Sequence, residues 1–348
     1  MDVGLSDDIY GTATPAVRDS GTRMTRSRTS LDIHYQEPYA SYLGGVSLSC
    51  CQKMSLCPLK KDVTLACVQL LVGPDQAQNL SRARIKVLEA SRAGARIVVL
   101  PECFNSPYGT AYFRQYAETI SPSPPSADQS PSFHAMASMA KEAQVYLVGG
   151  SIPELELHLA DPDQRKYYNT CLIFSPEGTL IGTHRKIHLC DVTIPGKAHL
   201  RESEVLSAGD DITIVDLPEY GKLGVAICYD IRFPEVAAVA ARKGCFAMVY
   251  PAAFSITTGS LHWSILAKAR ALDNQIYVAL CSPARESQGG HRPWGHSLIV
   301  DPLAQIVTEA GEEEATVMAE LSPALISETR TNIPVYVHRR FDVYKDVS

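Results

Sequence analysis

No apolar run in this chain of 348 residues approaches the length of about 20 residues needed to cross a membrane, so no spanning segment is expected. Basic residues are neither in excess nor clustered. The 32 Lys and Arg stand against 38 Asp and Glu, a net charge of −6, and no basic stripe is present to follow a phosphate backbone. A nucleic-acid partner is therefore not expected. Neither CxxC nor HExxH occurs. His184, His188, Cys190, Asp191 and His199 gather metal-ligating residue types, but two histidines four apart share a face only on a helix, and this stretch reads as strand and loop; no metal or other cofactor is expected. The 10 cysteines lack compact spacing, and Cys67, Cys171, Cys228 and Cys281 sit inside apolar strand-like stretches. Free thiols in a reducing, cytoplasmic compartment are expected, with the mitochondrion as the alternative.

What is present is the material of a large core, with 45% hydrophobic residues. Residues 1–60 differ from the rest. They are rich in Ser, Thr, Arg, Gly and Asp and lack helical or strand periodicity, which predicts a disordered or spurious extension. The acidic Asp2, Asp7 and Asp8 are unlike a transit peptide. Met54, shortly before the first patterned strand, is read as an alternative start. Residues 61–348 are read as one catalytic domain, because strand and helix patterns alternate without a linker from Val63 onward.

The periodicity predicts strands at Val63–Leu70, Ile97–Leu100, Val145–Gly149, Ile212–Asp216, Lys222–Cys228, Phe246–Tyr250, Ile276–Cys281 and Ser297–Asp301. A hairpin of Tyr168–Phe174 and Thr179–Ile187 is expected around Pro176-Glu177-Gly178. Helices are expected from Asn79 or Ser81, over Ser130–Gln144, over Pro234–Lys243 and over Ser260–Asp273. Mixed antiparallel and βα-type connections point to an α/β fold of two packed sheets flanked by helices.

Three segments carry chemistry. The run KLGVAICY reads as a buried strand stopping at Cys228, a thiol facing a cleft beside the helix that Pro234 begins. In IVVLPEC an aliphatic run meets a proline and then Glu102, a carboxylate at the end of a strand, where open α/β sheets bind ligands. In GTHRKIHL, Lys186 lies within a second strand-like stretch. Base, cation and nucleophile are thus available: a carboxylate to take a thiol proton, and an ammonium to favour the thiolate and the oxyanion formed on attack at a carbonyl or nitrile carbon.

These motifs, in this order, resemble those of the nitrilase superfamily of carbon-nitrogen hydrolases, from about Val63 to Tyr344. Within it, PECFNSPYGT (Pro101 to Thr110), GGSIPE (Gly149 to Glu154), YNTC (Tyr168 to Cys171), PGK (Pro195 to Lys197) and NQIYVALCSPAR (Asn274 to Arg285) followed by WGHS resemble the ω-amidase branch. RKIHL and CYDIRFPE are shared with a sister branch that hydrolyses deaminated glutathione. Leu200 and Ser260 depart from the branch pattern, which has Phe and Pro there, and both are placed near the pocket.

The resemblance implies a nitrilase-type α-β-β-α sandwich that pairs across a helical face into a homodimer. It implies a Glu102-Lys186-Cys228 triad, and Glu202 as a second glutamate holding the lysine and substrate. The expected reaction is hydrolysis of the terminal amide of α-ketoglutaramate or α-ketosuccinamate through a cysteine thioester, with deaminated glutathione or another small amide as the alternative substrate. A distal substrate carboxylate calls for a cation and hydrogen-bond donors. Arg232 is the expected clamp, with Tyr108, Thr257 and Thr258 as donors, Phe254 as an apolar wall and the Tyr229 backbone N–H on the oxyanion. A structural ion pair of Arg232 with Asp230 or Glu235 is the competing role.

Overall fold

The computed structural model describes residues 57–121, 123–157, 165–196, 198–288 and 290–344, so the readings made for residues 1–56 lie outside the described residues. The elements run in order β1 (Val63–Gln69), α1 (Gln76–Arg92), β2 (Ile97–Val99), α2 (Thr110–Phe113), α3 (Pro131–Ala143), β3 (Tyr146–Val148), β4 (Ile152–Leu157), β5 (Arg165–Phe174) and β6 (Leu180–Arg185). After these come β7 (Asp191–Ile194), β8 (Ala198–Arg201), β9 (Thr213–Leu217), β10 (Gly221–Val225), α4 (Pro234–Arg242), β11 (Cys245–Pro251), α5 (Ile256–Asn274), β12 (Tyr277–Cys281), β13 (Leu298–Val300), β14 (Ile306–Glu309), β15 (Ala315–Leu321), α6 (Pro323–Asn332) and α7 (Val335–His338).

One sheet has the order β15-β1-β2-β3-β5-β4, with β6 also on β5; the second runs β14-β13-β12-β11-β10-β9; β7 and β8 form a separate hairpin. In each large sheet three neighbouring strands are parallel, β1-β2-β3 in one and β10-β11-β12 in the other, and the outer strands are antiparallel. Parallel strands need helical crossovers, and both faces of such a sheet are covered. The alternation along β1 shows how. Leu65 and Cys67 face the second sheet, packing with Val215, Val225 and Val249, while Ala66 and Val68 face the helices with Ala83, Val87 and Ala90 of α1 and Met136 and Met139 of α3. Helices α4 and α5 cover the outer face of the second sheet, with Val236, Ala237, Trp263 and Ala267 buried. The result is the expected α-β-β-α sandwich.

Local chemistry sets the boundaries. Helix α1 begins three residues before Asn79, because the Asp75 side chain accepts the Gln78 backbone N–H, an N-cap that contributes about 1 kcal/mol. Pro131 and Pro234 open α3 and α4, where a missing N–H costs nothing. Helix α5 also starts early, at Ile256, because Ser255 caps it through the Thr258 backbone N–H. Ser260 therefore lies inside α5, exposed, two residues past Thr258 of the cavity wall. No helix among the described residues is long and apolar enough to cross a membrane.

Candidate active site

The carboxyl ends of β2 and β10 bring two expected residues together, one from each sheet. After β2 the chain turns through Pro101, and Glu102 and Lys186 are both fully buried. Gly150 makes that turn fit: its φ is +63°, and a Cβ there would lie 2.2 Å from the Pro101 carbonyl oxygen. The Ser151 backbone N–H donates to the same oxygen, and its hydroxyl accepts the Cys103 N–H at 3.0 Å. This accounts for the GGS of the sequence.

Lys186 lies one residue past β6, outside the strand expected to contain it. Its backbone N–H still donates to the Asn169 carbonyl, and its carbonyl accepts the Gly209 N–H, so both sides of the peptide are fixed. The ammonium donates to Glu102 Oε1 at 3.0 Å and to Glu202 Oε1 at 2.9 Å. Asn169 Nδ2 also donates to Glu102 Oε1, at 2.9 Å. Glu202 accepts two further bonds, from the Tyr108 hydroxyl at 2.7 Å and from the Cys190 backbone N–H at 2.7 Å. Tyr108 thus gives its one hydroxyl proton to a carboxylate, and the donor expected for the substrate is already committed.

Cys228 differs from its expected setting. Strand β10 stops at Val225, and Cys228 begins a short 3-10 turn, Cys228–Arg232, with φ +47°. A non-glycine residue in the left-handed region costs about 1–2 kcal/mol and persists only where its surroundings impose it. Asp230 imposes it here, its N–H returning to the Ile227 carbonyl and its carboxylate accepting the Ile227 N–H, both at 3.0 Å. The Cys228 thiol lies close enough to Glu102 for each to alter the other's titration, and Glu102 Oε2 is buried without a hydrogen-bond partner.

The electrostatics follow from two carboxylates and one ammonium closed off from water. Burial raises the Glu102 pKa above the ordinary carboxyl range; Lys186 works against this and Glu202 adds to it. Burial would favour a neutral Lys186 amine, but the two carboxylates outweigh it and hold the group well above an ordinary lysine. Burial, reinforced by Glu102, also pushes the Cys228 thiol up. Both shifts favour a neutral Cys228 thiol beside a carboxyl with raised affinity for a proton.

A cavity of about 640 Å³ opens above Cys228, and Tyr108, Tyr229, Arg232, Phe254, Thr257 and Thr258 all line it. Leu200 of β8 is on its wall, as expected. The Arg232 guanidinium lies over the Tyr229 and Phe254 rings, 5.4 and 4.7 Å from their centroids, and donates from Nη1 to His262 Nδ1 at 3.1 Å. Its Nε is buried without a partner. Among the described residues Arg232 forms no ion pair, so the competing role with Asp230 or Glu235 does not hold. Asp230 is already saturated by other donors.

Three residues here escaped sequence reasoning. Asn169 stood in YNTC without a role, Asp230 lay two positions after Cys228, and His291 lay in a loop. His291 donates from Nε2 to the Ala253 carbonyl at 2.7 Å, its ring 4.7 Å from that of Tyr108, and burial lowers its pKa. His184 and His188, weighed as metal ligands, both donate to Asp230.

Comparison with known proteins places this geometry. The carbon-nitrogen hydrolase family profile matches residues 64–331. The chain is 50% identical over 280 residues to the omega-amidase NIT2-A of Xenopus laevis, covering 80% of this chain and 96% of that one. It is 49% identical over 293 residues to the omega-amidase NIT3 of Saccharomyces cerevisiae, covering 83% and 97%. The crystal structure of Saccharomyces cerevisiae Nit3, described as a member of branch 10 of the nitrilase superfamily, superposes with a TM-score of 0.73 at 47% identity, over 81% of this chain and 98% of that one.

Proposed function

Since the chain belongs to the carbon-nitrogen hydrolase family, we propose that it is an ω-amidase, converting the terminal amide of α-ketoglutaramate or α-ketosuccinamate to the acid and ammonia. The observation that carries this reading is the buried Glu102-Lys186-Glu202 cluster beside Cys228, beneath a cavity whose wall holds one guanidinium without an ion-pair partner. Glu102 takes the Cys228 proton as the sulfur attacks the amide carbon. Lys186 and the Tyr229 backbone N–H stabilise the oxyanion. Collapse breaks the C–N bond, Glu102 returns the proton to the leaving ammonia, and a thioester remains. Water, deprotonated by Glu102, then attacks the thioester carbon; the C–S bond breaks, and Glu102 returns the proton to the Cys228 sulfur as the acid leaves. Glu202 holds Lys186 in place and Tyr108 holds Glu202.

Side-by-side ammonia release from α-ketoglutaramate and deaminated glutathione tests the substrate assignment; a clear preference for the latter would overturn it. Arg232 is the partner for the distal carboxylate. Arg232→Lys is expected to raise KM for α-ketoglutaramate about 10- to 150-fold, as loss of one charge-assisted bond would, and to leave KM for an uncharged short amide nearly unchanged. Equal losses on both substrates would remove Arg232 from specificity.

The pH profile gives a further expected result. Glu102 must be ionised to accept a proton, so the acid limb of kcat/KM is expected above the ordinary carboxyl range. Glu202 raises the Glu102 pKa, so Glu202→Gln removes a negative neighbour and is expected to move that limb to lower pH. A limb that stays in place would separate the two carboxylates.

A homodimer across α5 fits its exposed Leu261, Ile265 and Leu272, and a cytoplasmic location fits the free thiols Cys67, Cys103, Cys171, Cys190, Cys228, Cys245 and Cys281.

A further inference from the structure

Asp230 takes no part in the proton transfers or the oxyanion contact, yet its fully buried carboxylate accepts four hydrogen bonds. Oδ2 accepts from the Ile227 backbone N–H at 3.0 Å and from His184 Nε2 at 3.1 Å; Oδ1 accepts from the His188 backbone N–H at 2.9 Å and from His188 Nδ1 at 2.8 Å. Two carboxylate oxygens offer about four lone-pair sites, so the group is saturated. Burial disfavours the charge, but the two histidine bonds outweigh it and hold Asp230 ionised, so both ring nitrogens must be donors.

The partners fall on two chain segments. One is the turn of the nucleophile, where the Ile227 N–H and carbonyl both bond to Asp230 and bracket Cys228 in its left-handed conformation. The other is the segment carrying the ammonium, where His184 and His188 lie two residues to either side of Lys186. Each histidine is held from its far side as well: His184 Nδ1 meets the Thr213 hydroxyl at 3.0 Å, and the His188 ring stacks on Phe233 at 3.6 Å between centroids. Glu102 also meets both segments, but through the Lys186 ammonium and the Cys228 thiol themselves, whereas Asp230 holds the backbone and histidines around them.

We propose that Asp230 is a positioning residue that sets the spacing between the Cys228 sulfur and the Lys186 ammonium by tying both segments to one carboxylate. This rests on the reading of Cys228 as nucleophile and Lys186 as oxyanion partner. Attack requires the reacting atoms aligned within a few tenths of an ångström, and a misplacement of about 1 Å costs roughly 10²-fold in rate. Tyr229 and Arg232 are this turn's share of the cavity wall and the rest lies outside it, so substrate binding is expected to change less than kcat.

Asp230→Asn keeps the shape but offers one acceptor oxygen and an N–H₂ group that faces other donors, so one segment must let go. Expected is a fall in kcat of about 10²-fold with KM within about threefold of wild type, and slower alkylation of Cys228 by iodoacetamide as followed by peptide mass mapping. His188→Asn retains a donor near the Nδ1 position and is expected to keep kcat close to wild type, whereas His188→Ala is expected to lose about tenfold. Circular dichroism and thermal melting establish folding, and the His188 pair decides the matter if Asp230→Asn does not fold. A folded Asp230→Asn with wild-type kcat, a rise in KM alone, or equal rates in His188→Asn and His188→Ala would overturn the proposal. Failure of the underlying reading would look different: Cys228→Ala would retain turnover.

Discussion

Cys228→Ala is expected to abolish ammonia release, by at least about 10⁴-fold, while the protein remains folded. The size of the effect follows from the role: without the sulfur no thioester forms, and the remaining groups can only polarise an amide that nothing attacks. The fold should survive because one small buried side chain is shortened by one atom, a change costing about 1 kcal/mol. The informative measurement pairs turnover with mass spectrometry of wild-type enzyme trapped during turnover, which should show an acyl adduct on Cys228. Two other thiols compete for the assignment. Cys190 lines the same cavity but lacks the hydrogen bond with Glu102 that Cys228 has, and Cys103 is buried beside Glu102 but does not line the cavity. An adduct on either would transfer the role from Cys228.

Lys186→Met, which keeps the length of the side chain and removes its charge, is expected to cut kcat by about 10² or more through loss of oxyanion stabilisation. A second cost arises from the carboxylates. Glu102 and Glu202 would face each other across a thioether, and Glu102, no longer held down by the ammonium, would bind its proton more tightly. The acid limb of the rate profile should therefore move to higher pH, opposite to the direction expected for Glu202→Gln. Breaking a buried ion pair also destabilises by about 3–5 kcal/mol, so melting should fall alongside turnover. Turnover near wild type would exclude Lys186 from the reaction.

The parts of this site that could be read along the chain were those whose signal is local. Ile97-Val98-Val99 before Pro101 marked the strand that delivers Glu102, and Pro234 marked the start of α4. The two strand ends near Lys186 and Cys228 were read too long, because tertiary bonds terminate them: Lys186 leaves β6 to meet Glu102 and Glu202, and the Asp230 carboxylate bends the chain after Val225. The histidine partners of Asp230 lie 42 and 46 residues away, a separation at which spacing carries no message, and so they resembled metal ligands. Strand β15 was not anticipated although Val317, Ala319 and Leu321 alternate, since its place beside β1 joins the two ends of the domain.

The wall above Cys228 is assembled from α2, the β7–β8 hairpin, the first turn of α5 and the loop around His291, whereas Glu102 and Cys228 are carried by the two sheets. Apart from Tyr229 and Arg232, which share the turn of Cys228, the wall and the reacting groups are therefore inherited through different parts of the chain. Substitutions at Leu200 or Thr257 are expected to exchange one amide for another without disturbing bond cleavage. A lineage built on this scaffold can thus change its diet and keep its chemistry, and differences among its members should collect on the rim before they reach the floor.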